Sequence, residues 1–169
     1  SGTLNSITYA KNKFVAVGSQ GVIISSIDGK KWESPETNGY EGKDPLIGIS
    51  YGKGKFIIVG KVGKILTSDD AQNWSVNDSF LGTTMNNVKF VNNSFIILGN
   101  QGAILTSENG DKWTKQILME LMGNYFGVAY GKEKYVVVGA QGVIISSQDL
   151  KDWETLGKNE GFGYKDIIF

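Results

Sequence analysis

Tryptophan recurs at a nearly constant interval along this chain. Trp32, Trp74, Trp113 and Trp153 are separated by 42, 39 and 40 residues, and each ends a segment of the form G-x-[IL]-[IL]-[ST]-S-x-[DN]-x-x-x-W. Self-similarity at a fixed period near 40 residues indicates that one supersecondary unit has been copied. The fold must therefore be inferred from the repeat.

Each repeat unit contains three apolar runs and a fourth run that opens at tryptophan. In the first unit the three runs are Leu4 to Tyr9, Lys13 to Gly18 and Gly21 to Ser26. Short runs rich in Val, Ile, Phe and Tyr, separated by Gly, Asn, Lys or Asp, predict four strands, here called a to d. Two-residue connections between a and b, such as Lys11-Asn12, predict antiparallel hairpins.

Strands b and c are apolar on both faces, as in Phe56 to Val59, so both faces need cover. Radial stacking of four-stranded units supplies that cover, and a four-stranded repeat of this length is typical of a β-propeller blade. We therefore predict an all-β, propeller-type array in one domain over residues 1–169. Its four antiparallel blades cover residues 4–45, 46–84, 85–124 and 125–163.

Residues 164–169 match strand a once more, although no b, c and d follow them. This surplus strand suggests either a fragment of a larger propeller or an open array completed by another chain. An open blade edge carries unpaired backbone groups that invite pairing. We therefore expect self-association.

The stretch Ser26 to Trp32 resembles the Asp-box of sialidase-type (BNR-like) propellers and of photosystem II assembly factors. The repeats are also similar to those of uncharacterised bacterial surface proteins. The resemblance implies a structural role, in which Ser and Asp bond the hairpin backbone and Trp packs between strands. The positions concerned are Ser26, Asp28, Trp32, Ser68, Asp70, Trp74, Ser107, Asn109, Trp113, Ser147, Asp149 and Trp153. This chain departs from the motif at Ala71, Asn109 and Leu150, and its Asp-to-Trp spacing is one residue shorter.

Composition removes most catalytic chemistry. The chain has no cysteine, histidine or arginine, which excludes thiol and imidazole chemistry and zinc sites with sulfur or nitrogen ligands. Sialidases need arginines for the substrate carboxylate, so we predict no sialidase activity. We also predict that the chain is not an enzyme and that it binds no cofactor and no metal. Seventeen lysines balance seventeen acids along the repeats, which argues against nucleic acid. Apolar runs of four to six residues predict no membrane insertion.

Binding is the function that the repeat favours, because loops at one end of a propeller converge around its axis. The b-to-c loops are expected to bring Gln20, Lys61 (with Val62), Gln101 and Gln141 to one face. Side-chain amides there can hydrogen-bond sugar hydroxyls or peptide backbone. The alternative is that glutamine simply tolerates an exposed turn.

The d-to-a loops vary most between repeats. Their aromatic residues Tyr40, Phe80 and Phe162 are candidates for stacking on a sugar or entering a protein partner, or else for covering the core. The apolar segment Ile117, Leu118, Met119, Leu121 and Met122 is a candidate intermolecular interface. It could instead cap the core between blades or dock against a further blade.

The sequence thus predicts a non-catalytic binding or interaction module, which recognises a glycan or a protein through its face loops. The resemblance to bacterial surface proteins implies that the module belongs to a bacterial, secreted or cell-surface protein. One alternative is a glycan-processing enzyme with paired carboxylates of raised pKa. Another is an assembly factor that holds a folding partner, although the arginine rows expected there are missing. A third is an engineered repeat array.

Overall fold

The computed structural model describes residues 2–34, 40, 42–78, 81–121 and 123–158. Blade 1 contains β1 (Leu4–Ala10), β2 (Lys13–Gly18) and β3 (Ile23–Ser26). Blade 2 contains β4 (Leu46–Gly52), β5 (Lys55–Gly60), β6 (Lys64–Ser68) and β7 (Ser75–Asp78). Blade 3 contains β8 (Met85–Val91), β9 (Ser94–Gly99), β10 (Ala103–Ser107) and β11 (Thr114–Ile117). Blade 4 contains β12 (Tyr125–Gly131), β13 (Lys134–Gly139), β14 (Val143–Ser147) and β15 (Glu154–Lys158).

Each blade is an antiparallel meander whose strands lie in chain order, which confirms the predicted fold class. Blade 1 differs from the others because its sheet has three strands within the described residues. The described residues after β3 add a bridge between Ser25 and Glu33, with two backbone hydrogen bonds of 2.9 Å. Pro35 follows two residues later and has no N–H to extend such a ladder. The surplus strand predicted at 164–169 lies outside the described residues.

The a-to-b hairpins turn through two residues that both have positive φ. In blade 1 these are Lys11 (49°) and Asn12 (59°), and the other three blades repeat the geometry. Positive φ at both central residues defines a type I′ turn, whose twist matches that of the flanking strands. The two-residue connections seen in the sequence therefore form tight hairpins at one end of every blade.

The hydrophobic core is divided into three layers, each lying between two successive blades. We call the face that a blade turns toward the next one its forward face, and the opposite one its backward face. Between blades 1 and 2, Val15, Val17 and Ile23 of the forward face pack with Leu46 and Ile49 of the backward face. Equivalent residues form the layers between blades 2 and 3 and between blades 3 and 4. Both faces of strands b and c are thereby covered in the inner blades.

Strand a lies at one edge of every sheet, so half of its backbone groups have no ladder partner. Side chains of the preceding blade bond several of these groups. Asn5 Nδ2 donates to the Leu46 carbonyl at 2.7 Å, and Asn87 Nδ2 donates to the Phe126 carbonyl at 2.6 Å. The Ser50 hydroxyl accepts a bond from the backbone N–H of the third strand a. These contacts hold successive a strands side by side.

Candidate functional site

Four left-handed turns form one end of the blades. In each b-to-c connection the second residue has positive φ, at Gln20 (59°), Val62 (56°), Gln101 (58°) and Gln141 (55°). All four side chains are exposed. Left-handed backbone is uncommon for residues other than glycine, and each of these residues is followed by a glycine. The turns therefore present four side chains at equivalent positions.

Backbone hydrogen bonds fix each turn against the start of strand a in its own blade. Ser19 N–H donates to the Thr3 carbonyl at 2.8 Å, and Ala140 N–H donates to the Asn124 carbonyl at 2.8 Å. The turns of blades 2 and 3 also bond the d-to-a loop that leads to the next blade, as in the bond of 2.6 Å from Gly63 N–H to the Thr83 carbonyl. The b-to-c turns and the ends of the d-to-a loops thus share one face, which we call the turn face.

Lys61 does not take the glutamine position. It begins its turn, at the place of Ser19, Asn100 and Ala140, and its N–H bonds the Pro45 carbonyl at 3.1 Å. Val62 occupies the equivalent of the glutamines in blade 2. The predicted set of polar side chains therefore consists of three amides and one valine, with Lys61 beside them.

Tyr40 is buried, with 5% of its surface exposed, in the core layer between blades 1 and 2. Its hydroxyl donates to the Asp44 carbonyl at 3.4 Å, and burial raises the pKa of Tyr40. This corrects the expectation of a ring that stacks on a ligand, because the ring is packed between two sheets. Phe80 and Phe162 lie outside the described residues.

The apolar segment before blade 4 divides into two parts. Leu118 and Leu121 pack on the core layer between blades 3 and 4, where the Leu121 carbonyl accepts a bond from the Tyr125 hydroxyl. Burial raises the pKa of Tyr125 to about 12. Ile117 and Met119 are exposed, whereas Met122 is outside the described residues. The leucines cap the core, and among the described residues of the segment the exposed pair remains a candidate for intermolecular contact.

The c-to-d turns at the opposite end are braced by their own side chains. In blade 1 the Ser26 hydroxyl accepts from Gly29 N–H at 2.9 Å, and Asp28 Oδ1 accepts from Lys30 and Lys31 N–H at 2.8 and 2.9 Å. The same bonds recur around Asp70, Asn109 and Asp149. Donation from backbone N–H groups lowers the pKa of all three aspartates. These residues serve as turn braces.

The tryptophans of the motif differ in burial from blade to blade. Trp74 is buried in the layer between blades 1 and 2, and Trp113 and Trp153 are partly buried on their own layers. Trp153 Nε1 also donates to Gln116 Oε1 of blade 3 at 3.0 Å. Trp32, in blade 1, is exposed. The tryptophans therefore join neighbouring blades wherever a preceding blade covers them.

Charged side chains near the same end also pair locally. Lys55 bridges Asp111 of blade 3 at 2.7 Å and Asp69 of its own blade at 3.6 Å. Glu154 accepts from the Ser146 hydroxyl and lies 3.3 Å from Lys134, and these bonds lower its pKa. Within the described ranges, every carboxyl with a resolved pKa shift has it lowered. A glycosidase acid needs the opposite shift.

Two features are absent from the part of the chain that the structure describes. It holds no group of three or more Asp, Glu, His or Cys side chains placed to bind a metal ion. No helix in this part is long and apolar enough to span a membrane.

No protein-family model and no curated protein matches the sequence. Solved structures do match. YCF48 from Cyanidioschyzon merolae superposes with a TM-score of 0.70 at 18% identity, covering 99% of this chain and 60% of that one. YCF48 bound to D1 peptide gives 0.69 at 22% identity, covering 91% and 55%. The WD40 β-propeller domain of Doa1 gives 0.68 at 12% identity, covering 98% and 57%.

This chain therefore spans little more than half the length of the structures it resembles. Identities this low carry information about fold alone. Together with the four stacked meanders, these superpositions show that the chain has a β-propeller fold.

Proposed function

We propose that this chain is a non-catalytic protein-binding module that holds an extended segment of its partner on the turn face. The observation that carries the proposal is the repetition of an exposed amide at Gln20, Gln101 and Gln141, each on a left-handed turn. One matching structure, YCF48, is bound to a D1 peptide. A propeller of this type can therefore hold a peptide.

The chemistry of the turn face suits a peptide backbone. Each glutamine offers one carbonyl acceptor and two N–H donors, and these complement the donor and acceptor of a peptide unit. The turns are bonded to the starts of the a strands, so the side chains extend from fixed positions. Fixed positions reduce the ordering cost of binding. Val62 adds an exposed apolar contact to the same face.

The lowered pKa values of Asp28, Asp70, Asp149 and Glu154 support binding over glycan processing, because a general acid needs a raised pKa. We further propose that the braced c-to-d turns are Asp-boxes and that the module acts as a scaffold or assembly factor. On the likeness of its repeats to bacterial surface proteins, we assign it to a secreted or cell-surface protein.

The test is a binding measurement on the purified chain with arrayed synthetic peptides and, separately, arrayed oligosaccharides. The key variant replaces Gln20, Gln101 and Gln141 with alanine. A matched control replaces Asn12, Asn93 and Glu133 with alanine, because these residues also have positive φ and are exposed, but lie in the a-to-b turns at the other end. Backbone strain is therefore similar in the two triple variants.

We expect peptide binding that the glutamine variant weakens about tenfold or more, since three hydrogen bonds of about 1 kcal/mol each are removed. The control should bind like the parent chain. Binding to oligosaccharides alone, or equal loss in both variants, would contradict a peptide site on the turn face.

A further inference from the structure

The backward face of blade 1 is apolar and exposed. On β1, Leu4, Ile7 and Tyr9 expose 52%, 57% and 57% of their surface, and Trp32 of the same blade is also exposed. Large apolar side chains grouped on one sheet face are typical of an interaction surface. The face lies at one end of the stack of blades.

Equivalent residues in the other blades identify the kind of surface that covers this face. Leu4 corresponds to Leu46, Met85 and Tyr125, all fully buried, and Ile7 corresponds to residues that are at most 6% exposed. Each of them is covered by the forward face of the preceding blade. The same interface therefore occurs three times in this chain, always between two blades of the same repeat.

The forward face of blade 4 offers the matching surface. Val136 and Ile144 on this face are only partly buried. Their equivalents Ile57, Ile65, Ile96 and Ile104 are almost completely buried against a following blade. Val138 on the same face is 4% exposed, so the uncovered part of this face lies at Val136 and Ile144.

We propose that a second copy of this chain covers these two faces, head to tail, so that blade 4 of each copy packs on blade 1 of the other. Two copies contain eight blades, within the range of four to eight that closed propellers have. One copy covers 55–60% of each matching chain. The chain has a net charge of zero, so two copies do not repel each other through net charge.

The first measurement is the mass of the 169-residue chain by light scattering over a range of concentrations. The expected mass is twice 18.4 kDa. A mass of one chain at all concentrations would overturn the proposal, since the faces would then be left open or covered by the chain itself. A broad distribution of larger masses would overturn closure, because heterologous contacts that do not close form open polymers.

Two single substitutions test the head-to-tail geometry. Ile7→Lys changes the backward face of blade 1, and Val136→Glu changes the forward face of blade 4. Each alone should give the mass of one chain, with a circular dichroism spectrum like that of the parent. Val76→Lys is the control, because Val76 is exposed on β7, away from the two end faces. It should leave the mass doubled.

Mixing the two variants provides the decisive result. In a head-to-tail pair, one junction would join Lys at position 7 to Glu at position 136, and the other junction would keep both native residues. The mixture should therefore recover the doubled mass. A doubled mass for either variant alone would overturn the proposal. For Val136→Glu, a doubled mass would indicate contact between two copies of blade 1.

Discussion

Lys55 Nζ lies 2.7 Å from Asp111 Oδ1, and this contact joins the second blade to the third at the c-to-d end. The Lys55 side chain is largely buried, whereas Asp111 is exposed. The hydrogen bond to Asp111 is the main reason that the pKa of Lys55 is raised above its ordinary value of 10.5. The pair is thus a charged link between two blades whose strength depends on pH.

Replacing Lys55 with methionine should cost at most about 1 kcal/mol of unfolding free energy at neutral pH, because one partner is solvated. A raised folded-state pKa gives stability that is present below 10.5 and lost as pH rises through the folded value. Urea unfolding at pH 7 and above pH 11 should show that the difference in unfolding free energy between the parent chain and Lys55→Met becomes smaller at the higher pH. Lys13→Met, at the equivalent position in blade 1, is the control. A difference that persists at high pH would contradict a charged link.

Asp70 should make the stability of blade 2 depend on pH in the acidic range. Its lowered pKa means stability that is present above 3.8 and lost as pH falls through the folded value. Asp70→Ala should cost about 1 kcal/mol at pH 7, as losses of capping side chains do. Asp70→Asn should cost less, because Asn109 makes the same backbone bonds in blade 3.

Urea midpoints of these variants, measured at pH 7 and pH 2, check the assignment. The gap between Asp70→Asn and the parent should narrow at pH 2, where the carboxylate begins to be protonated. The reverse change, Asn109→Asp, should add stability at neutral pH only. If the urea midpoints of the parent and Asp70→Asn differ equally at pH 7 and pH 2, the charge of Asp70 does not contribute to stability.

Val62 should be a source of strain in the turn face. It is a β-branched residue at φ 56°, and it is exposed, so its side chain gains little from burial. Val62→Asn should raise the unfolding free energy by about 0.5 to 1 kcal/mol, because asparagine tolerates left-handed backbone. Thermal unfolding measures the gain. Gln20→Asn should change stability less, and a loss of stability in Val62→Asn would contradict the strain.

Gly52 of blade 2 lies against the Phe90 ring of blade 3. A Cβ at this position would be 2.2 Å from Phe90 Cγ, which is an overlap. Gly52→Ala should therefore destabilise the chain by about 1 to 3 kcal/mol, as overpacking does. Gly157→Ala is the control, since a Cβ there meets nothing within 4 Å. Thermal unfolding should separate the two, and equal midpoints would contradict the close approach.

The repeat was sufficient to predict the blades. Strand positions follow from alternating apolar runs, and the hairpins follow from two-residue connections, because these are local properties of the chain. The place of Val62 was also available in the sequence, since Gly60 and Gly63 fix its alignment with Gln20 and Gln141. The binding role of the glutamines stays a prediction.

Other features depend on contacts distant in sequence. The sequence does not distinguish Tyr40 and Leu121 from exposed loop residues. Their burial depends on how neighbouring blades pack. The interblade bonds of Asn5 and Asn87 were missed as well. Asparagine is unusual within a strand, so its presence in strand a was a usable signal.

The three-stranded sheet that the described residues of blade 1 form sets an order for local opening. In a stack of repeats, stability is approximately the sum of each unit and its interfaces with neighbours. In one copy of the chain, and within the described residues, blade 1 has a three-stranded sheet and one covered face, whereas blade 3 has four strands and two covered faces. Amide protons of β1 to β3 should therefore exchange with solvent faster than those of β8 to β10. Fraying at this end would begin at blade 1 and reach blade 2 before blade 3.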